Sequence, residues 1–203
     1  MKYKLTTNTK RWAGVTLYQI EYLKSSTGIP KGVLGGWIEC ESNLSQEGNA
    51  YVSGNACVYG NAHVSGDAHI SRDAHVYGNA YVYGNAHVSG DARVSGDAHV
   101  YGNAYVYGNA CVSGNAHVSG NACVYGNACV CAKADFTKGS FIGGDDSWKI
   151  TNITDKTGTT YWKNQYVLGE YEITPIEEPT ITLTDDELLA ECQRRGVSIK
   201  ITK

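Results

Sequence analysis

Between residues 48 and 131 the apolar and polar positions recur with a period of six. Each copy reads G-N/D-A-x-V-x, fourteen times in succession without an insertion, and the only lapses are Arg72 for glycine and Ile70 for valine. Two looser copies follow: Ala134 and Phe136 hold the register, then Ser140 and Ile142. In an extended segment residues two apart point to the same side, so alanine and valine face one way and the residues flanking valine face the other. Glycine followed by Asn or Asp supplies a corner, because both residue types tolerate positive φ. Each copy is therefore expected to be a four-residue strand and a two-residue corner. No copy can bury its valine alone. Coils stacked about 4.8 Å apart bury a continuous valine column and pair each strand with those above and below. The pattern predicts an all-β parallel solenoid.

The segments outside the hexads have other patterns. In the first unit, residues 1–47, positions 2–7 and 15–23 alternate as strands, with 10–14 as the hairpin connection. This small β unit is expected to cap the first coil, since an open sheet edge recruits other strands. The repeats, with their two looser copies, fill 48–143. Residues 144–174 read as a β-hairpin unit, with strands at 148–154 and 161–173 and a turn at 155–158. Residues 175–203 begin as an extended linker marked by Pro175 and Pro179. Thr184 to Glu187 form a capping box for a short helix over 188–195, stopped by Gly196, and 197–202 alternates as a final strand.

The six-residue period resembles the hexapeptide repeat of left-handed parallel β-helices. In that family three hexads make one triangular turn, so sixteen hexads would give a little over five turns, or about 25 Å of rod. The segment Gly32-Val33-Leu34-Gly35-Gly36-Trp37-Ile38-Glu39, followed by Asn43-Leu44-Ser45-Gln46 and Gly48-x-Ala50, resembles the lead-in of bacterial and phage hexapeptide-repeat proteins often labelled transferases. The resemblance implies the left hand and, as one activity, acyl transfer from acyl-CoA at a subunit interface. The flat faces of such a rod favour side-by-side threefold self-association, and for a phage protein in the host cytoplasm, as the lead-in hints, the partner would be a host factor or a small signalling molecule.

Stacking at eighteen residues sorts the outward positions before valine into three faces. The first carries Tyr51, His69, His87, Tyr105 and Cys123, the second Cys57, His75, Arg93, Cys111 and Cys129, and the third His63, Tyr81, His99 and His117. After valine, Tyr59 stacks with Tyr77, Tyr83 with Tyr101, and Tyr107 with Tyr125. Tyr83, Tyr101, His69, His87, His99 and His117 are the candidate binding residues, since planar half-polar side chains anchor interfaces. Catalytic residues are not marked; His87 and His99 are the candidates if acyl transfer occurs. Two imidazoles make half a zinc site. Cys111, Cys129 and Cys131 would hold zinc if Asp135 or Cys192 supplied a fourth ligand. Asp73 and Asp91 are the directly stacked acidic corners, with Arg72 and Arg93 at hand to neutralise them.

Charge and cysteine usage narrow the class. Seventeen basic against twenty acidic residues, a net charge of −3, give no pull toward nucleic acid. Seven cysteines at uneven spacing do not read as a secreted disulfide framework, and no apolar run suggests a leader or a membrane span, so a cytoplasmic protein is expected. Acyltransferases of this fold extrude a catalytic loop from one corner; here the hexads run uninterrupted and every histidine lies within them. The favoured reading is a non-catalytic scaffold or binding protein without a cofactor, presenting Tyr, His and Ser faces to itself or to a partner, with acyl transfer as the alternative.

Overall fold

A computed structural model describes residues 1–25, 29–131 and 135–143, together with the strand backbones of Lys149–Ile150, Ile153–Asp155, Thr159–Trp162, Gln165–Leu168 and Tyr171–Ile173. The helix and final strand expected after residue 174 lie outside the described residues.

The repeats form a three-sided parallel β-solenoid of about six turns, matching a β-helix of the expected left-handed type in period and strand order. Partners lie eighteen residues apart within the strict repeats, as His69 with His87, Arg93 with Cys111 and His99 with His117, but the last looser copy slips by one, so that buried Phe141 and not Ile142 pairs with Val124. Each face is one sheet, and the three columns of outward residues are those the period predicts. Inside, every alanine and valine of the strict repeats is buried, and Ile70 takes a valine place at 0% exposure. Except for Cys123–Gly126, the strands of the strict repeats are shorter than expected, two residues each as in His87–Val88. Alanine sits within the bend, yet its carbonyl still accepts from the coil below, as in His87 N–H to Ala104 O at 2.9 Å.

The corner glycines explain why the repeat tolerates so little change. They hold φ between +58° and +73° along the strict repeats, a left-handed region that side chains resist. A Cβ on Gly90 would also lie 2.8 Å from the backbone nitrogen of Gly108 in the next coil. Arg72 sits in the same column at φ +62°. Beside these glycines the asparagine amides climb the rod, as in Asn85 to Asn103 at 3.1 Å and Asn103 to Asn121 at 3.3 Å.

The first coil begins before the strict repeats. Strand β1 is Tyr3–Trp12, β2 is Val15–Tyr22 and β3 is Leu34–Ile38. β1 and β2 form the expected hairpin, but β1 runs through Trp12 and the turn tightens to Ala13-Gly14, both at positive φ. Trp37 and Ile38 of β3 then pair in parallel with Cys57 and Val58, and Leu44 bridges to Val64. A boundary at residue 47 thus falls inside the first turn, which is why the rod has about six turns instead of five. Between them Asn43 is fully buried and satisfied: its amide donates to Gly60 O and Ala62 O, both at 2.9 Å, and its oxygen accepts from the N–H groups of Glu39 and Cys40.

At the other end the parallel order breaks. Ser140–Gly143 pairs in parallel with Cys123–Gly126 on one side and antiparallel with Gln165–Leu168 on the other, and Thr159–Trp162 is the outer strand of that hairpin. The long strand expected at 161–173 is split into three, since Tyr171–Ile173 turns away to pair with Ile153–Asp155. This hairpin covers the last edge of the first face, the protective arrangement a solenoid end requires.

Candidate functional site

The β1–β2 hairpin does not stop at covering the first coil. Its tip lies over the second face, where Lys10 and Trp12 join Asn55, Cys57, Tyr59, Asp73, His75, Tyr77, Asp91, Arg93 and Asn109 around a groove of about 710 Å³. The second-face column rises Trp37, Cys57, His75, Arg93, Cys111, and Cys57 is a small side chain between large ones. Trp12 fills the gap. Its ring stacks on His75 with centroids 4.9 Å apart and 20° between planes. Tyr59 meets His75 edge-on at 6.4 Å and stacks on Tyr77 at 5.1 Å. Lys10 lies 4.6 Å over the Trp37 ring and donates to Asn55 O at 3.4 Å, which pins the hairpin beside the groove.

The same aromatic device occurs elsewhere on the rod with a built-in ring in place of Trp12. Residues 59–82 and 83–106 are identical except at 69/93, 70/94 and 72/96. A repeat of twenty-four on a coil of eighteen moves each copy one face onward, so His75 of the second face corresponds to His99 of the third. There Tyr81 stacks on His99 at 5.2 Å and 13°, and Tyr83 meets His99 edge-on at 6.4 Å and stacks on Tyr101 at 4.9 Å. Tyr81 does for His99 what Trp12 does for His75. The ladder's missing ring at Cys57, two positions before the duplicated block, is the signal that would have pointed to the groove.

The electrostatics of the groove are unresolved internally. Asp73 and Asp91 are stacked on one rim, each exposed, and Asp73 accepts from the Asn55 amide at 3.0 Å. Arg93 was expected to neutralise them, with Arg72. Among the described residues, however, the ion pair present is Lys4 with Glu21 at 2.9 Å, at the far side of the hairpin. Neither arginine forms an ion pair with a carboxylate among the described residues. Burial holds the His75 imidazole below its usual pKa, helped by Lys10 and Arg93 and opposed by the two aspartates. Its buried Nδ1 meets no partner within the described chain. Burial pushes the Tyr59 phenol up, against the pull of the neighbouring Trp12 indole.

The expected binding residues lie away from this groove, on the other two faces. His69 meets His87 edge-on at 4.6 Å, and His87 stacks on Tyr105 at 4.7 Å. His99 stacks on His117 at 4.8 Å, with Tyr101 edge-on to His117 at 6.3 Å. Burial lowers the pKa of His69, His87 and His99, with the neighbouring imidazole adding to it for His69 and His99. These are ring-against-ring ladders, a geometry that supports the aromatic plates more directly than a metal site. Tyr81, Tyr83, Tyr105 and Tyr107 project from them, 36–44% exposed. His87 and His99 are on different faces and do not converge on one reacting atom.

The cysteines separate as well. Cys111 and Cys129 are register partners on the second face, but Asp135 pairs with His117 on the third and so is not placed to complete a site with them. No group of three or more His, Cys, Asp or Glu side chains that could hold a metal gathers among the described residues. Cys192 lies outside them.

Comparison with known families adds a class to this geometry. The family described as the YdcK Beta solenoid repeat matches residues 74–90, 86–102 and 104–120, the middle coils that carry the aromatic ladders. The chain is similar to that family as a repeat-built β-solenoid. No curated protein matches it. Among the described residues no helix is long and apolar enough to cross a membrane.

Proposed function

We propose that the chain is a non-catalytic binding solenoid, and that the groove completed by Trp12 holds a flat cationic group of a small molecule or a partner side chain. The observation that carries this reading is the stacked pair Asp73 and Asp91, which line one groove with the Tyr59–Tyr77 wall and make no contact ion pair among the described residues, although Lys10 and Arg93 share the lining. Two carboxylates one coil apart repel by about 1 kcal/mol even at the dielectric of water, and a cation between them removes that repulsion. The aromatic wall adds cation–π attraction of about 0.5–1 kcal/mol. The ladders hold both elements rigid, so little ordering is required on binding. The exposed tyrosines of the other two faces serve a different contact, self-association or a protein partner, for which rigid tyrosines are suited anchors.

Arginine amide is a suitable probe, because it presents a flat guanidinium with no carboxylate. Calorimetric titration into the full chain should give one saturable site. Each carboxylate contact is worth about 1 kcal/mol, so the Asp73→Asn/Asp91→Asn double variant should bind about 30-fold more weakly. Equal affinity in the two proteins would exclude the groove as the cation site.

A further inference from the structure

We propose that Cys111 and Cys129 form a thiol–disulfide switch on the second face, with Cys111 as the attacking thiol and Cys129 as the resolving one. The pairing is independent of the cation-binding reading. It rests first on register: Cys111 and Cys129 are direct partners on adjacent coils. The inter-strand spacing of about 4.8 Å lies within the Cα separation that a disulfide spans. Both side chains are partly exposed, so an oxidant can reach them.

Their surroundings assign the roles. Cys111 lies in register between Arg93 one coil earlier and Cys129 one coil later. The neighbouring Cys129 thiol acts against burial and, with Ser113 and the Arg93 charge behind it, brings the Cys111 pKa down to about 6. Such a thiol carries more thiolate at pH 7 than an unperturbed one. The lower basicity of the thiolate returns part of that gain, leaving a several-fold advantage in rate. Two other cysteines serve as internal controls. Burial pushes the thiols of Cys57 and Cys123 up, and Cys123 lies on the first face, opposite Ser140.

The oxidant is a low-molecular-weight disulfide. The Cys111 thiolate attacks one of its sulfurs, forming a mixed disulfide and releasing one small thiolate. Cys129, giving up its proton, then attacks Sγ of Cys111. The second small thiol leaves with that proton, and a Cys111–Cys129 bond remains. The small disulfide is reduced to two thiols while the two cysteines are oxidised by two electrons.

Incubating the full chain with oxidised glutathione and reading intact mass and peptide maps tests both roles. The wild type should lose two hydrogens in mass and yield a Cys111–Cys129 cross-linked peptide. Cys129→Ser should stop at one glutathionyl adduct on Cys111, and Cys111→Ser should give neither product at that rate. With iodoacetamide at pH 7, Cys111 should be alkylated several-fold faster than Cys123. Stable glutathionylation of the wild type, a cross-link between other cysteines, or equal alkylation of Cys111 and Cys123 would overturn the proposal.

Discussion

Replacing Arg72 with glycine should make the rod more stable. Arg72 occupies the corner position that glycine fills in every other strict repeat, and its backbone is in the same left-handed region, φ +62° against +64° at Gly54 and +67° at Gly66. A side chain there costs about 1–2 kcal/mol through the contact of Cβ with the carbonyl. Glycine removes that strain but loses about 0.5–1 kcal/mol through the greater freedom of its unfolded chain. The Arg72 side chain is exposed and makes no ion pair among the described residues, so its removal subtracts at most a few tenths more. The balance favours Arg72→Gly by about 0.5–1 kcal/mol, or a Tm rise of about 1–4 °C for a chain of this size. Arg72→Ala is the control. It removes the same charge but keeps Cβ, so it should give no such gain. Thermal unfolding of the three proteins by circular dichroism decides the matter. An unchanged or lower Tm for Arg72→Gly, or an equal gain for Arg72→Ala, would refute the argument from backbone strain.

Three further outcomes follow from the geometry. Gly90→Ala should destabilise more than Gly60→Ala, since the added Cβ would approach the next coil to 2.8 Å in the first case and 3.2 Å in the second; urea denaturation of both would show midpoints in the other order if the stacking were wrong. Cys57→Tyr should complete the aromatic column and displace Trp12 from His75, seen as a red shift of tryptophan emission and faster amide exchange at the hairpin tip; unchanged emission would mean that Trp12 does not fill the Cys57 gap. The histidines of the ladders give the stability a pH dependence. His69, His75, His87 and His99 all have lowered folded-state values, so the unfolded chain takes up protons first on acidification. Their contribution is complete above about pH 6.5 and lost as pH falls through that value toward the folded pKa. Tm should therefore drop between pH 7.5 and pH 5.5, and a flat profile would contradict the assigned burial.

The rod was readable in the sequence because one six-residue rule governs every coil. Val94 and Ala98 are buried for the same reason as Val52 and Ala50, and His99 meets His117 because eighteen residues separate them. The groove was not readable from that rule. Trp12 belongs to a segment without the hexad, and what brings it to His75 is the docking of a hairpin, a tertiary event with no period. The small side chain of Cys57 marked the gap in the ladder, but only comparison of residues 59–82 with 83–106 shows which ring is missing. Charge pairing failed for a related reason. Arg93 and Asp91 are near in sequence, yet face and corner side chains leave the rod in different directions, and sequence distance does not report direction. The start of the first coil was hidden because Trp37, Ile38 and Leu44 pair as rungs without the glycine corner that identifies the rest.

A crystal structure of the full chain grown with arginine amide is the most direct test of the binding role. The account predicts a guanidinium between the Asp73 and Asp91 carboxylates and the Tyr59–Tyr77 wall, with Trp12 still stacked on His75. A groove closed by Arg93 bonded to both carboxylates, or Trp12 turned away from His75, would contradict it.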